Sequence, residues 1–387
     1  MLKFLVIMNI LNIDNSLAVS PKSASVERIY FPELDGLRFF AFLLVFVHHH
    51  PLFSEIPYLS FLHVYGWVGV DLFFTLSAYL FTKLLIAEFY KTKTISFKKF
   101  YIRRLFRIWP VYFLFVIFCI ILYYFLNDTI DDNIGIRIIG LFTFSDNIMC
   151  ALYGFNQLPY TAHLWTISYE EQFYIFIPII IFLLVRTIWK NKLISLISVF
   201  LLFNVFRLVM MANNVTHLAI WVLPTTRFES ILLGIVIGFG GFKFLLNRIN
   251  PIVIGLIGIL FFGLLVLLPR PNEISFWLIL KYSFMGISTS MVLFSVLNSD
   301  FLKKFFSQKI FVFLGKRSYG LYLYHFLGME VADIMIEKIT LLPSNSLTSF
   351  IYSLLITIIV SIISYWLVET PFLKLKKKFE VINSRPI

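Results

Sequence analysis

Arginines, histidines and carboxylates interrupt the apolar stretches of this chain, at depths where a charge has no water to hold it. The run Leu34-Asp-Gly-Leu-Arg-Phe-Phe-Ala-Phe-Leu-Leu-Val-Phe-Val-His-His-His50 carries a guanidinium and an imidazole triplet. Read as a helix with about 100° per residue, the eleven positions from Arg38 to His49 return to within roughly 20° of one face, three turns on. The same arithmetic sends His48 roughly 80° to one side and His50 roughly 120° to the other. Only His49 shares the Arg38 face. Imidazole titrates near neutral pH and serves as general base or as covalent acyl carrier. Guanidinium binds phosphate oxygens in pairs. The spacing thus sets an anion-binding group and a proton-transfer group on one line, about 16 Å apart. His48 and His50 read as interfacial neighbours of Pro51. Three adjacent helical side chains diverge too widely to ligate one ion, so no metal site is expected.

Further polar groups stand in other apolar runs. Gly66-Trp-Val-Gly-Val-Asp-Leu-Phe-Phe-Thr-Leu-Ser-Ala-Tyr79 holds Asp71 and Ser77. Its small residues allow close helix approach, and alone it reads as packing, with Asp71 bonded to a neighbouring helix. His163-Leu-Trp-Thr-Ile-Ser-Tyr-Glu-Glu-Gln-Phe-Tyr174 brings in two adjacent carboxylates. Glu170 and Tyr174 are one turn apart on one face, while Glu171 points about 100° away. Arg227 with Glu229, Lys316-Arg-Ser-Tyr-Gly-Leu-Tyr-Leu-Tyr-His325 and Glu369-Thr-Pro371 follow. Each pair alone would serve as an interhelical salt bridge. Together they point to an internal polar cavity, because ionisable groups at membrane depth are costly and mark function.

The elements that position these groups follow from composition. Of 387 residues, 59% are hydrophobic and 14% charged, against about 45–50% and about 25% in soluble domains. This surplus excludes a soluble enzyme, a disordered chain and a secreted disulfide scaffold; Cys119 and Cys150 are the only cysteines. The net charge, 33 − 21 = +12, reads as topology-setting and lipid-facing basicity rather than nucleic-acid binding. Apolar runs near 37–53, 67–90, 106–126, 164–188, 193–211, 220–241, 251–268, 276–298, 311–333 and 349–368 approach the span length of about 20 residues. Ile134 to Phe144 is apolar but too short to span. The alternating short strands of a β-barrel are absent, and no internal repeat or sizeable soluble domain is visible.

The fold expected is an all-α integral membrane bundle of about ten helices. Basic residues between Lys91 and Arg107, at Lys190, Lys192, Lys243, Arg248, Lys303 and Lys304, and from Lys374 to Lys378 fall on one side. The positive-inside rule makes that side, and both termini, cytoplasmic. The chain divides into a lead-in (1–33), a membrane domain (34–372) and a basic tail (373–387). The lead-in reads as an upstream start or an amphipathic segment rather than as a signal peptide with a weak Ser16-Leu-Ala18 site.

These segments, in this order, resemble the membrane-bound acyltransferase 3 family, which includes bacterial O-acetyltransferases of surface polysaccharides. The resemblance rests on Asp35-Gly-Leu-Arg38 with His49, Gly69-Val-Asp-Leu-Phe-Phe74 with Ser77, and Arg103-Arg-Leu-Phe-Arg-Ile-Trp-Pro110. It continues through Trp165-Thr-Ile-Ser-Tyr-Glu170 with Phe173-Tyr174, Arg227 with Gly234, Ser318-Tyr-Gly-Leu-Tyr-Leu-Tyr-His325 and Glu369-Thr-Pro371. Ser77-Ala78 and Trp165-Thr-Ile depart from the family's usual Ser-Gly and Trp-Ser-Leu. The resemblance implies transfer of an acyl group, usually acetyl from acetyl-coenzyme A, to a sugar hydroxyl, in a multi-pass protein of the bacterial inner membrane. No permanently bound cofactor is implied: acyl-coenzyme A is the donor substrate, a saccharide the acceptor, and membrane lipid the surroundings.

Carried over residue by residue, the resemblance makes Arg38, Arg104 and Arg107 donor-binding. His49 becomes the catalytic group, and Glu170 the group that orients it or steadies its imidazolium. Asp35, Asp71, Ser77, Trp165, Tyr174, Arg227, His325 and Glu369 are further polar-cavity candidates. The rival readings are a saccharide or lipid-linked transporter, for which internal repeats are missing, and a structural membrane protein. The latter does not explain why Arg38 and His49 share a face.

Overall fold

The computed structural model describes residues 28–126, 131–268, 277–338, 345–384 and 386. Among these there is no strand. The lead-in before residue 28 lies outside the described residues. In chain order the helices are α1 (Pro32–His49), α2 (Leu52–Glu55), α3 (Ser60–Tyr65), α4 (Val68–Thr92), α5 (Phe97–Leu126) and α6 (Ile134–Phe142). Then come α7 (Asp146–Tyr153), α8 (Trp165–Val185), α9 (Trp189–Ala212), α10 (His217–Val222), α11 (Glu229–Gly238) and α12 (Pro251–Val266). The last are α13 (Trp277–Asn298), α14 (Asp300–Phe306), α15 (Lys309–Lys316), α16 (Ser318–Lys338), α17 (Ser346–Ser364) and α18 (Thr370–Lys377). A π turn at Tyr365–Glu369 joins the last two into one rod.

Among the described residues six helical stretches are long and apolar enough to cross a membrane: α4, α5, α8, α9, α13 and the rod from Ser346 to Lys377. Leu201, Leu202, Val205 and Phe206 on α9 are exposed, as expected of side chains that face hydrocarbon rather than a partner helix. The polar residues turn the other way, into the bundle.

Helix α1 forms because its ends suit its dipole. Pro32 opens it, Glu33 and Asp35 occupy its first turn, and His48 and His49 its last. It ends at His49, earlier than the expected 53, because His50 precedes Pro51 and adopts an extended backbone (φ −89°, ψ 131°). Its neighbours approach unusually closely. A Cβ on Gly315 would stand 1.7 Å from the Asp35 carbonyl oxygen, and one on Gly69 would stand 2.3 Å from that of Ala41. Only glycine permits either contact, so α15 and α4 are pressed onto α1 on either side of Arg38 in sequence.

Two expected spans are broken. The run 220–241 splits into α10 and α11 around Leu223–Phe228. The freed backbone groups are recaptured: Thr226 Oγ1 donates to the Ile220 carbonyl at 2.7 Å, and Arg207 Nε donates to the Thr226 carbonyl at 2.7 Å. Non-helical backbone at membrane depth persists only when it is satisfied in this way. The run 311–333 splits at Arg317, between α15 and α16. The basic segment after α4 is largely helix as well. Only 93–96 lie outside, so Arg103, Arg104 and Arg107 ride on the first turns of α5.

Candidate active site

Two cavities lie along α1. The first, about 190 Å³, is lined by Arg38, Arg104 and Arg107 together with Ser77, Glu170 and Tyr174. The second, about 280 Å³, is lined by His48, His49 and His163, the rings of Trp67, Trp165 and Trp221, and Arg227. Arg38 and His49 share one face of the helix and each opens into a different chamber. Val70, Thr166 and Tyr322 line both.

In the first chamber most charges are paired. Arg38 Nη1 is 3.3 Å from Asp35 Oδ1, and Arg107 Nη1 is 3.6 Å from Glu369 Oε2. Lys376, at the C-terminal end of α18, is 3.8 Å from Glu380. Arg104 has no ion pair among the described residues. Its guanidinium carbon lies 4.5 Å from the Phe81 ring centroid, and its Nε makes no hydrogen bond. Glu170 Oε1 accepts from Ser77 Oγ at 2.8 Å and also from the Tyr174 hydroxyl. Residues beyond α18 fold across this chamber. Arg103 Nη1 donates to the Phe379 carbonyl at 2.9 Å, Lys91 Nζ to that of Val381 at 3.0 Å, and Ile29 N to that of Asn383 at 2.9 Å.

In the second chamber the imidazoles form an ordered chain. His325 Nδ1 lies 2.6 Å from the Tyr322 carbonyl oxygen, and His325 Nε2 lies 2.9 Å from His49 Nδ1. A carbonyl oxygen only accepts, so His325 carries its proton on Nδ1. Its neutral ring then accepts at Nε2, and His49 must be the donor from Nδ1. The His49 Nε2 lone pair is left for chemistry. The His163 ring stands edge-on to His325, centroids 4.6 Å apart.

Of the other two members of the triplet, His48 borders the same chamber and is bonded through one nitrogen, and His50 is engaged through both. His48 Nδ1 is held 2.5 Å from the His63 carbonyl oxygen. His50 Nδ1 accepts from Leu52 N at 3.2 Å and its Nε2 faces Ser349 Oγ at 3.3 Å.

The expected orienting role of Glu170 toward His49 is corrected by this arrangement. Glu170 sits in the arginine chamber, bonded to Ser77 and Tyr174, and the partner of the His49 ring is His325. Arg227 pairs with Asp71, not with Glu229 as the sequence pairing had it. Ser230 Oγ also donates to Asp71, at 3.1 Å, while Glu229 takes Arg207 at 2.5 Å. The Arg227 guanidinium carbon lies 4.1 Å from the Trp221 centroid and 4.8 Å from that of Trp67. Trp165 borders the same chamber, 6.5 Å from Trp221. Sequence reasoning passed over His163, Thr166, Arg207, Trp221 and Tyr322. Tyr322 was within reach of it, since its spacing of three from His325 puts both on one helix face.

An all-helical membrane protein with a cationic chamber backed by a histidine chamber is the class that these observations define. Residues 31–367 match the acyltransferase domain of the family designated Acyl_transf_3, and the chain belongs to that family. Of the curated relatives, the Staphylococcus aureus (strain COL) protein named "Putative O-acetyltransferase" is 32% identical over 380 residues, 92% of this chain and 59% of its own length. O-acetyltransferase OatA of S. aureus strain NCTC 8325 is 32% identical over 363 residues, 89% of this chain and 57% of its own. The chain thus spans somewhat under three-fifths of the length of the curated relatives it matches. No solved structure gives a match.

Proposed function

We propose that this chain is a membrane O-acetyltransferase that moves acetyl from acetyl-coenzyme A to a hydroxyl of a cell-envelope saccharide, with His49 at the reacting centre. One observation carries the reading. The arginine chamber and the histidine chamber abut along a single face of α1, and the free Nε2 of His49 belongs to the second.

Arg104, with Arg38 and Arg107 beside it, receives the donor's phosphates, since planar guanidinium groups match phosphate oxygens bidentately. Glu170, Ser77 and Tyr174 fix the wall of that chamber. The acyl-bearing pantetheine arm spans the distance from Arg38 to His49, about 16 Å at about 1.5 Å per residue. In one route His49 Nε2 takes the acceptor proton as the hydroxyl oxygen attacks the thioester carbon. The C–S bond breaks and the proton passes on to the departing thiolate. In the other route Nε2 itself attacks, the C–S bond breaks and coenzyme A leaves as the thiol with the proton given up by Nδ1; the acceptor hydroxyl then takes the acyl group from Nε2 and its proton returns to the imidazole. Rapid denaturation at neutral pH without acceptor separates the routes, because only the second leaves label on His49.

Six qualifying stretches together with α1, the broken pair α10 and α11, α12 and α16 would make the ten crossings of the proposed topology. Both termini and the arginine chamber then face the cytoplasm of a bacterial inner membrane, where coenzyme A is made. The test is transfer of labelled acetyl from acetyl-coenzyme A to saccharide acceptors by purified protein in detergent. Absence of acceptor-dependent transfer across a panel of envelope saccharides overturns the reading.

A further inference from the structure

The partition between the chambers is thin and specific. Val70 on α4, Thr166 on α8 and Tyr322 on α16 are the side chains that border both, and each is buried. A hydrogen bond closes it: Thr166 Oγ1 and Tyr322 Oη are 2.6 Å apart. Both hydroxyls also reach one acceptor, the His163 carbonyl, Thr166 Oγ1 at 2.9 Å and Tyr322 Oη at 3.4 Å, so the three groups close a triangle. The Phe73 ring packs edge-on against Tyr322, centroids 6.2 Å apart. The same tyrosine, through its backbone carbonyl, also fixes the His325 tautomer and hence the free nitrogen of His49.

We propose that Val70, Thr166 and Tyr322 form a gate that the acyl group must pass, and that its width selects short acyl chains. This rests on the donor binding in the arginine chamber. With the Tyr322–Thr166 bond made, the chambers are separate and the thioester is kept from the outer chamber. When the Tyr322 ring swings away, the bond breaks, the arm enters and the carbonyl carbon comes within reach of His49. The β-branched Val70 opposes the pair and limits what passes. Arginine contacts recognise the common part of every acyl-coenzyme A, so discrimination by chain length falls to this constriction. A closed gate also protects the donor: water reaching the thioester would release acetate and free thiol, with no acceptor modified.

Three variants test it, each with direct donor binding measured alongside as proof of fold. Val70→Phe is expected to keep donor affinity within about twofold while transfer falls about 100-fold, the scale on which misplacing a reacting group acts. Val70→Ala is expected to shift the ratio of kcat/KM for butyryl- over acetyl-coenzyme A upward by about tenfold, the scale of pocket discrimination by methylenes. Tyr322→Phe keeps the ring and removes the bond, and is expected to raise acceptor-independent hydrolysis of acetyl-coenzyme A. Wild-type transfer and chain-length preference in both Val70 variants, with donor affinity intact, would overturn the gate while leaving the acetyltransferase reading standing. A wild-type protein that transfers nothing would remove that reading, and the gate with it.

Discussion

His325 Nε2 lies 2.9 Å from His49 Nδ1, across 276 residues of sequence. The contact does for His49 what a carboxylate does in a hydrolytic triad: it holds the ring and fixes which nitrogen is free. A neutral histidine in that role orients the ring without the full electrostatic support a carboxylate gives to an imidazolium. His325→Ala is accordingly expected to lower kcat by about 10–100-fold with little change in the donor KM, and His49→Ala to abolish transfer. His48→Ala and His50→Ala, whose rings are engaged by His63 and by Leu52 and Ser349, are expected to keep most of the rate. Steady-state kinetics on folded, inserted protein check all four. A dead His48→Ala enzyme beside an active His49→Ala one would reverse the assignment.

Arg104 and Arg107 are one turn apart and are expected to differ. Arg104 has no ion pair among the described residues, so Arg104→Ala should raise the KM for acetyl-coenzyme A more than it lowers kcat and leave stability nearly unchanged. Arg107 also neutralises Glu369, a carboxylate whose side chain is 1% exposed. Its loss takes the ion-pair partner at 3.6 Å from that buried carboxylate, at a cost of about 3 kcal/mol. Thermal unfolding should show Arg107→Ala markedly destabilised and Arg107→Ala/Glu369→Gln restored, with donor affinity weak in both. Unimpaired donor binding in Arg104→Ala would take Arg104 out of the donor site.

How much of this was visible beforehand depends on whether the relationship is local or between helices. Arg38 and His49 were legible because they share one helix and helical periodicity fixes their faces. The histidine at 325 was visible as a polar residue in an apolar run, but not as the partner of His49, since nothing local reports that α16 crosses α1 there. Arg227 misled for the same reason. Glu229 was near in sequence, yet the buried partner is Asp71, and the Pro224-Thr-Thr-Arg227 turn sends the two side chains apart. That proline was also the available signal that the run 220–241 would break. Glu170 was placed correctly on a face with Tyr174, but the sequence could not say which cavity that face borders.

The Arg207–Glu229 pair offers a test of what holds the broken helix in place. Arg207 is fully buried, its Nη2 lies 2.5 Å from Glu229 Oε1, and its Nε holds the Thr226 carbonyl. Arg207→Met should cost about 3–5 kcal/mol through the stranded carboxylate. Arg207→Met/Glu229→Leu should recover part of that, but not the bond to Thr226, so the double variant remains below wild type. Full recovery in thermal unfolding would show that the turn needs no such tether.

Sidedness is the prediction on which the rest of the scheme depends. The donor is expected from the cytoplasm, where the basic ends of α4 and α5 lie under the positive-inside rule. The acceptor is expected from outside, because His49 closes the opposite end of α1 beside Pro51 and the short helix that ends at Glu55. Both native cysteines, Cys119 and Cys150, are buried, so labelling of an introduced thiol stands out against them. Glu55→Cys and Ser96→Cys should react with an impermeant reagent from opposite faces of sealed vesicles. Reaction of both from one face would break the topology. With the topology intact, supplying acetyl-coenzyme A on one side and saccharide on the other decides the route. Acetylated product should accumulate on the side away from the donor. Product confined to the donor's side would mean that His49 is reached from the cytoplasm, and the two-chamber passage would not be the path of the acyl group.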